Sequence, residues 1–232
     1  GCAIGQRPID QHLKGMSALG AKVAFDHGGV TLSGRLRGAT IYLDMPSVGA
    51  TENLLMAATL AEGETVLENA AAEPEIENLA AFLNKAGAKI RGAGSAVIVI
   101  EGVERLHGVK LSVIPDRIEA GTFMAAAAIT HGKIQLEGIN SAHLQPITAK
   151  LREMGLGIKE YQNKLEIDAA CRLHGVNIKT LPFPGFPTDM QAQFVSLMSK
   201  AEGNSIAVET IFENRFFIHF SLMINKNTKI QI

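Results

Sequence analysis

Three short signatures return along the chain with one period, and they restrict its fold more than any other feature. Arg35-Leu36-Arg37-Gly38-Ala39 comes back as Arg105-Leu106-His107-Gly108-Val109 and again as Arg172-Leu173-His174-Gly175-Val176, 70 and then 67 residues later. Gly20, Gly87 and Gly155 each follow a helix-like stretch, at spacings of 67 and 68. Gly63, Gly132 and Gly203 close Ala-rich stretches at spacings of 69 and 71. Independent markers that share a period mean one supersecondary unit used repeatedly.

Each unit reads as β-α-β-α-β-β. Residues 47–62, 116–131 and 188–202 start on a capping type of residue, run apolar without Pro and stop at Gly, as helices do. β-branched stretches follow at 65–67, 133–136 and 205–208. A second helix carries Ile76, Leu79, Leu83 and Ala86 in one unit and Ile147, Leu151 and Met154 in the next, all at helical spacing. Hairpins close the units: 22–25 with 30–32, and 89–90 with 97–100. Such a unit leaves a helix face and a sheet face bare, so copies must pack on one another. The 232 residues hold about three and a third units, and both ends fall inside a repeat, so a fragment of a longer protein is expected.

Composition narrows the functional classes. At 47% apolar, a chain of this length buries roughly 70% of the surface its unfolded form exposes, enough for one large domain or two smaller ones. With 22 basic and 23 acidic side chains the net charge is -1, which gives no bulk pull toward nucleic acid or an acidic membrane. The longest apolar runs, such as Phe123 to Ile129, are far shorter than the roughly 20 residues needed to cross a bilayer. Two cysteines make no disulfide framework, so a reducing cytoplasm is expected. The seven histidines are scattered without ligand spacing, and neither a metal nor another cofactor is expected.

Chemistry can sit at the starts of the three small-faced helices. They read Pro46-Ser47-Val48-Gly49, Pro115-Asp116-Arg117 and Pro187-Thr188-Asp189, at matching places in the repeat. Free N–H groups at a helix start bind anions, and Ser47-Val48-Gly49 is small enough to admit a phosphate; plain capping explains the same residues. Asp116 and Asp189 are either caps or carboxylates able to accept a substrate proton. Cys2 lies between Gly1 and Ala3 and close to Arg7, a setting that favours thiolate, although an ordinary terminal thiol fits as well.

Six long motifs in order, 1–10 (Gly-Cys-Ala-Ile-Gly-Gln-Arg-Pro-Ile-Asp), 47–51 (Ser-Val-Gly-Ala-Thr), 68–76, 115–123 (Pro-Asp-Arg-Ile-Glu-Ala-Gly-Thr-Phe), 186–194 (Phe-Pro-Thr-Asp-Met-Gln-Ala-Gln-Phe) and 209–216 (Glu-Thr-Ile-Phe-Glu-Asn-Arg-Phe), closely resemble the UDP-N-acetylglucosamine 1-carboxyvinyltransferase family. The resemblance implies an inside-out α/β barrel with three β-α-β-α-β-β units in each of two lobes, incomplete here. Residues 1–114 would belong to one lobe and 115–232 to the other, with substrate in the cleft between lobes. The implied reaction moves the enolpyruvyl group of phosphoenolpyruvate to the 3-hydroxyl of UDP-N-acetylglucosamine, releasing phosphate at the first committed step of peptidoglycan synthesis.

The resemblance also assigns roles. Cys2 matches the cysteine that protonates the enol methylene and is alkylated by fosfomycin, and Asp189 matches the carboxylate that takes the sugar hydroxyl proton. Arg7 matches an arginine of the phosphoenolpyruvate and nucleotide site, and Pro8, Ile9 and Asp10 match its uridine-binding neighbours. Ser47, Val48 and Gly49 match the diphosphate-binding helix start, and Ile211 a contact to the sugar nucleotide. The family's Lys-Asn pair and its other phosphate-binding arginines have no match in the chain, and its pattern is lost after Phe216. The chain alone is therefore expected to be inactive, binding UDP-sugar weakly at most. A sister activity on shikimate 3-phosphate shares the fold but lacks the Gly-Cys-Ala-Ile-Gly loop.

Overall fold

A computed structural model describes residues 8–26, 28–212, 215 and 228–230. The chain divides into two compact units, one running to Val113 and the next starting at Ile114. Each has its own apolar core.

The first unit contains α1 (Asp10–Ala18), the hairpin β1 (Lys22–Asp26) and β2 (Gly29–Ser33), β3 (Thr40–Tyr42), α2 (Val48–Ala58), β4 (Glu64–Glu68), α3 (Pro74–Lys85), β5 (Lys89–Arg91) and β6 (Val97–Glu101). The last four strands form one sheet in the order β3-β4-β6-β5, with β3 parallel to β4 and the other pairs antiparallel. Register follows side-chain chemistry. Thr65 faces Ile100 and Leu67 faces Ile98, and all four are completely buried on one side of the sheet. Against that side pack Leu54 and Leu55 of α2 and Ile76 of α3, also fully buried. α3 begins with Pro74 and carries Glu75 and Glu77 in its first turn and Lys85 in its last, an arrangement that complements the helix dipole.

The second unit repeats the plan with α4 (Arg117–Ile129), β7 (Lys133–Glu137), α5 (Gln145–Glu153), β8 (Gly157–Glu160), β9 (Lys164–Asp168), β10 (Asn177–Lys179), α6 (Gln191–Met198), β11 (Ser205–Val208) and β12 (Thr228–Ile230). Short 3-10 turns, Ser141–Leu144 and Thr188–Met190, lead into α5 and α6. Met124, Ile147, Leu165 and Phe194 are fully buried in its core, where Phe186 meets Phe194 edge to face at 4.8 Å. The four sheets of the described residues stay separate and close no barrel. None of the described helices is long and apolar enough to cross a membrane.

The recurring Arg-Leu-Arg/His-Gly signature has a backbone cause in two of its three copies. Gly38 N–H donates to Glu62 O and Gly175 N–H to Glu202 O, each at 2.8 Å, just before the parallel pairs β3·β4 and β10·β11. A Cβ on Gly38 would stand 2.1 Å from Glu64 O, and one on Gly175 would stand 2.3 Å from Asn204 O, so only glycine permits the approach. The middle copy differs. Nothing lies within 4 Å of a Cβ on Gly108, and no strand forms over residues 109–114. Residues 109–114 instead carry the chain from one compact unit to the next, with Val113 82% exposed.

Candidate functional site

Two groups of the expected site residues are held together, one in each unit. In the first, α1 and α2 pack so closely that a Cβ on Gly15 would fall 2.3 Å from Leu54. His12 then rests against Gly49, and its Nδ1 lies 3.1 Å from Asn53 Nδ2. The chain just past β3 also holds α1. Buried Gln11 donates to Asp44 Oδ2 at 3.0 Å and accepts from Asp44 N at 2.9 Å, while Lys14 Nζ meets Asp44 Oδ1 at 2.6 Å. Hydrogen bonds from Gln11 and then Lys14 hold the Asp44 carboxyl below the usual range.

These contacts set the exposed Pro8, Ile9 and Asp10, where α1 begins, at the same end of the helix pair as the exposed Val48 and Gly49. Ser47 is a cap, its Oγ accepting from Ala50 N at 3.3 Å. Helix geometry leaves Val48 and Gly49 N–H without acceptors inside α2, so the cap and an anion-binding surface coexist. Further along α2, burial first and then the nearby Glu75 and Glu73 push the Glu52 carboxyl up.

The three inner helices start differently although their residues correspond. Asp116 caps α4, its Oδ1 accepting from Ile118 N at 2.8 Å and Glu119 N at 3.0 Å. Thr188 stands at the same repeat position but caps nothing. Its hydroxyl donates to Glu209 Oε2 at 3.0 Å and accepts from Arg215 Nη1 at 2.9 Å. Without that cap the expected helix opens as a 3-10 turn, and α6 proper begins only at Gln191. Asp189, on that turn, is not a cap either. Its side chain is 59% exposed, and Oδ1 accepts from Arg215 Nη2 at 2.8 Å, whereas Arg215 is 12% exposed. No hydrogen-bond partner for Asp189 Oδ2 occurs among the described residues.

Glu209 ties this turn to Ile211. Its Oε1 accepts from Thr180 Oγ1 at 2.8 Å, Ile211 N at 2.7 Å and Phe212 N at 3.1 Å; its Oε2 accepts from Thr188 and from Gln191 Nε2 at 2.9 Å. Asp189 and Ile211 are thus fixed through one buried carboxylate. Sequence reasoning missed Glu209, Thr188 and Arg215, and it missed His12 in the first unit. For Glu209 a signal existed, since the positions six residues past Gly63, Gly132 and Gly203 hold Asn69, Gly138 and Glu209. Cys2 and Arg7 lie outside the described residues.

Comparison with known proteins gives the lineage. Residues 1–226 match the family model of EPSP synthase (3-phosphoshikimate 1-carboxyvinyltransferase). The chain is 59% identical over 218 residues to UDP-N-acetylglucosamine 1-carboxyvinyltransferase 1 of Symbiobacterium thermophilum, covering 93% of this chain and 49% of that protein. It is 55% identical to the protein of the same name from Halalkalibacterium halodurans, over 100% of this chain and 53% of the relative. Among solved structures, the enolpyruvyl transferase NikO from Streptomyces tendae matches with a TM-score of 0.74 at 26% identity, over 85% of this chain and 50% of that one. EPSP synthase from Acinetobacter baumannii matches with a TM-score of 0.60 at 25% identity, over 90% of this chain and 50% of that one. The chain spans about half the length of the curated relatives it matches. The fold agrees with that of the solved relatives, and the chain belongs to the enolpyruvyl transferase family that the EPSP synthase model describes.

Proposed function

We propose that the whole protein transfers the enolpyruvyl group of phosphoenolpyruvate to the 3-hydroxyl of UDP-N-acetylglucosamine, in the cytoplasm, as the first committed step of peptidoglycan synthesis. The observation that carries this reading is the 59% identity, over 93% of the chain, to a protein named for that transfer. In the addition step Asp189 takes the hydroxyl proton as the sugar oxygen bonds to C2 of phosphoenolpyruvate, and Cys2 delivers a proton to C3, giving a tetrahedral ketal. Elimination removes a proton from C3 and breaks the C2–O bond to phosphate. An exposed carboxylate with one oxygen tied to Arg215 suits the base: it is oriented, and Oδ2 faces no competing donor among the described residues.

The first unit supplies the nucleotide end. Val48 and Gly49 N–H at the start of α2, behind the Ser47 cap, suit a diphosphate. Pro8, Ile9 and Asp10, with Arg7, bind uridine beside it, and Ile211 contacts the sugar nucleotide. Residues 1–114 and 115–232 serve as parts of two lobes. Cys2 is the group that fosfomycin alkylates, which makes the whole protein a target of that drug and links it to cell shape and division.

The test is release of phosphate by the whole protein. Release is expected only with both substrates present, and Cys2→Ala is expected to abolish it. Turnover of shikimate 3-phosphate in place of the UDP-sugar would replace this reading with that of the sister enzyme. The 232-residue chain by itself is expected to give no turnover, and calorimetry with UDP-N-acetylglucosamine should find weak binding at most.

A further inference from the structure

The repeat provides its own control at one buried position. Asn69 and Gly138 both adopt left-handed backbone, with φ of 56° and 69°, and serve as turn residues after β4 and β7. Glu209 follows β11 at the same position, is only 8% exposed, and collects five donors. A charged group in that place is unnecessary for the unit to fold, because two copies manage with an amide and a glycine. It is costly unless each of its oxygens is satisfied.

Its donors divide by destination. Oε1 holds Ile211 and Phe212 by their backbone N–H groups, and Oε2 draws Thr188 away from the capping role that Ser47 and Asp116 perform. Thr188, once turned, offers its oxygen to Arg215 Nη1, leaving Nη2 of the same guanidinium on Asp189. Arg215 also lies over the Phe212 ring at 5.7 Å, so the segment Glu209 anchors is the one that seats the guanidinium.

We propose that Glu209 is a positioning residue: through Thr188 and Arg215 it sets the Asp189 carboxylate, and through the Ile211 amide it sets the sugar-nucleotide contact. The inference rests on the function proposed above. Glu209→Gln keeps the volume but puts an NH2 against donors. If it replaces Oε1, two backbone N–H groups lose their acceptor; if it replaces Oε2, Gln191 does.

In the whole protein, Glu209→Gln is expected to lower kcat roughly 10- to 100-fold. In an Asp189→Asn background the same change is expected to alter kcat less than about 2-fold, because the carboxylate it sets is gone and the remaining Ile211 branch bears on KM for the sugar nucleotide. An undiminished Glu209 effect in that background, or wild-type kcat in the single variant, overturns the proposal. Should Glu209→Gln fail to fold, Thr188→Val removes the branch toward Asp189 alone, and the same non-additivity is expected. Wild-type turnover by Asp189→Asn would instead refute the base assignment. Glu209 is then judged by hydrogen exchange in the whole protein, where the Ile211 and Phe212 amides are expected to exchange at least about 10-fold faster in Glu209→Gln. Unchanged exchange overturns the positioning role.

Discussion

The starts of α4 and α6 occupy one place in the repeat and have opposite uses. Asp116 turns its carboxylate back onto two N–H groups of its own helix, and α4 runs 13 residues from there. Thr188 gives its hydroxyl to Glu209 and Arg215, and the helix behind it reaches only 8 residues after a 3-10 turn. A cap is worth about 1 kcal/mol, so α6 forgoes local stability and recovers it in long-range hydrogen bonds. The difference teaches that one position of a repeated scaffold can be turned to a new use once a local rule is broken. Where the capping oxygen is spent elsewhere, the neighbouring carboxylate is left to face solvent.

Substitutions sharpen that contrast, beginning with the strongest. Asp189→Asn in the whole protein is expected to lower phosphate release about 10²- to 10⁴-fold with little change in melting temperature, which a coupled phosphate assay and calorimetry would read together. Gly38→Ala in the 232-residue chain is expected to cost roughly 1–3 kcal/mol in urea unfolding, because Glu64 O must give way, whereas Gly108→Ala should stay within about 0.5 kcal/mol. Equal costs at the two glycines would break the distinction between a seam and a linker. Asp116→Ala is expected to lose about 1 kcal/mol of stability while kcat holds, the mirror image of Asp189→Asn.

The smallest effect concerns pH. Burial and two neighbouring carboxylates raise Glu52 above its ordinary value of 4.5, so the folded state keeps that proton when the unfolded chain has released it. Stability from this group is therefore lost as pH rises from about 4.5 through the raised value. Glu52→Gln is expected to be the more stable form at neutral pH, by a few tenths of a kcal/mol, with the gap closing toward pH 4. A gap that widens on acidification would reverse the sign.

Much of this architecture was legible before any coordinate. Period, capping residues and stop glycines located the inner helices, and alternation located β4, β6, β7 and β11, because these are local signals. After Gly108 no strand forms. The signature there is intact, but its partner backbone is absent, and pairing is a property of two segments rather than one. The start of α6 was misjudged for a related reason: Thr188 has the chemistry of a cap, and only Glu209, 21 residues on, diverts it. Asp189 and the Ser47–Gly49 helix start were visible through motifs, whereas His12 was not, because its place beside Gly49 depends on how closely α1 approaches α2.

The seam at Gly38 and Gly175 is written in main-chain atoms alone, N–H to carbonyl oxygen. Such a joint asks one thing of the sequence, a glycine at the donor, so residues elsewhere in each module can differ without loosening it. The residue after β11 is such a place, a carboxylate where its counterparts are an amide and a glycine. One module can therefore hold a buried charge at no expense to the joinery of the others.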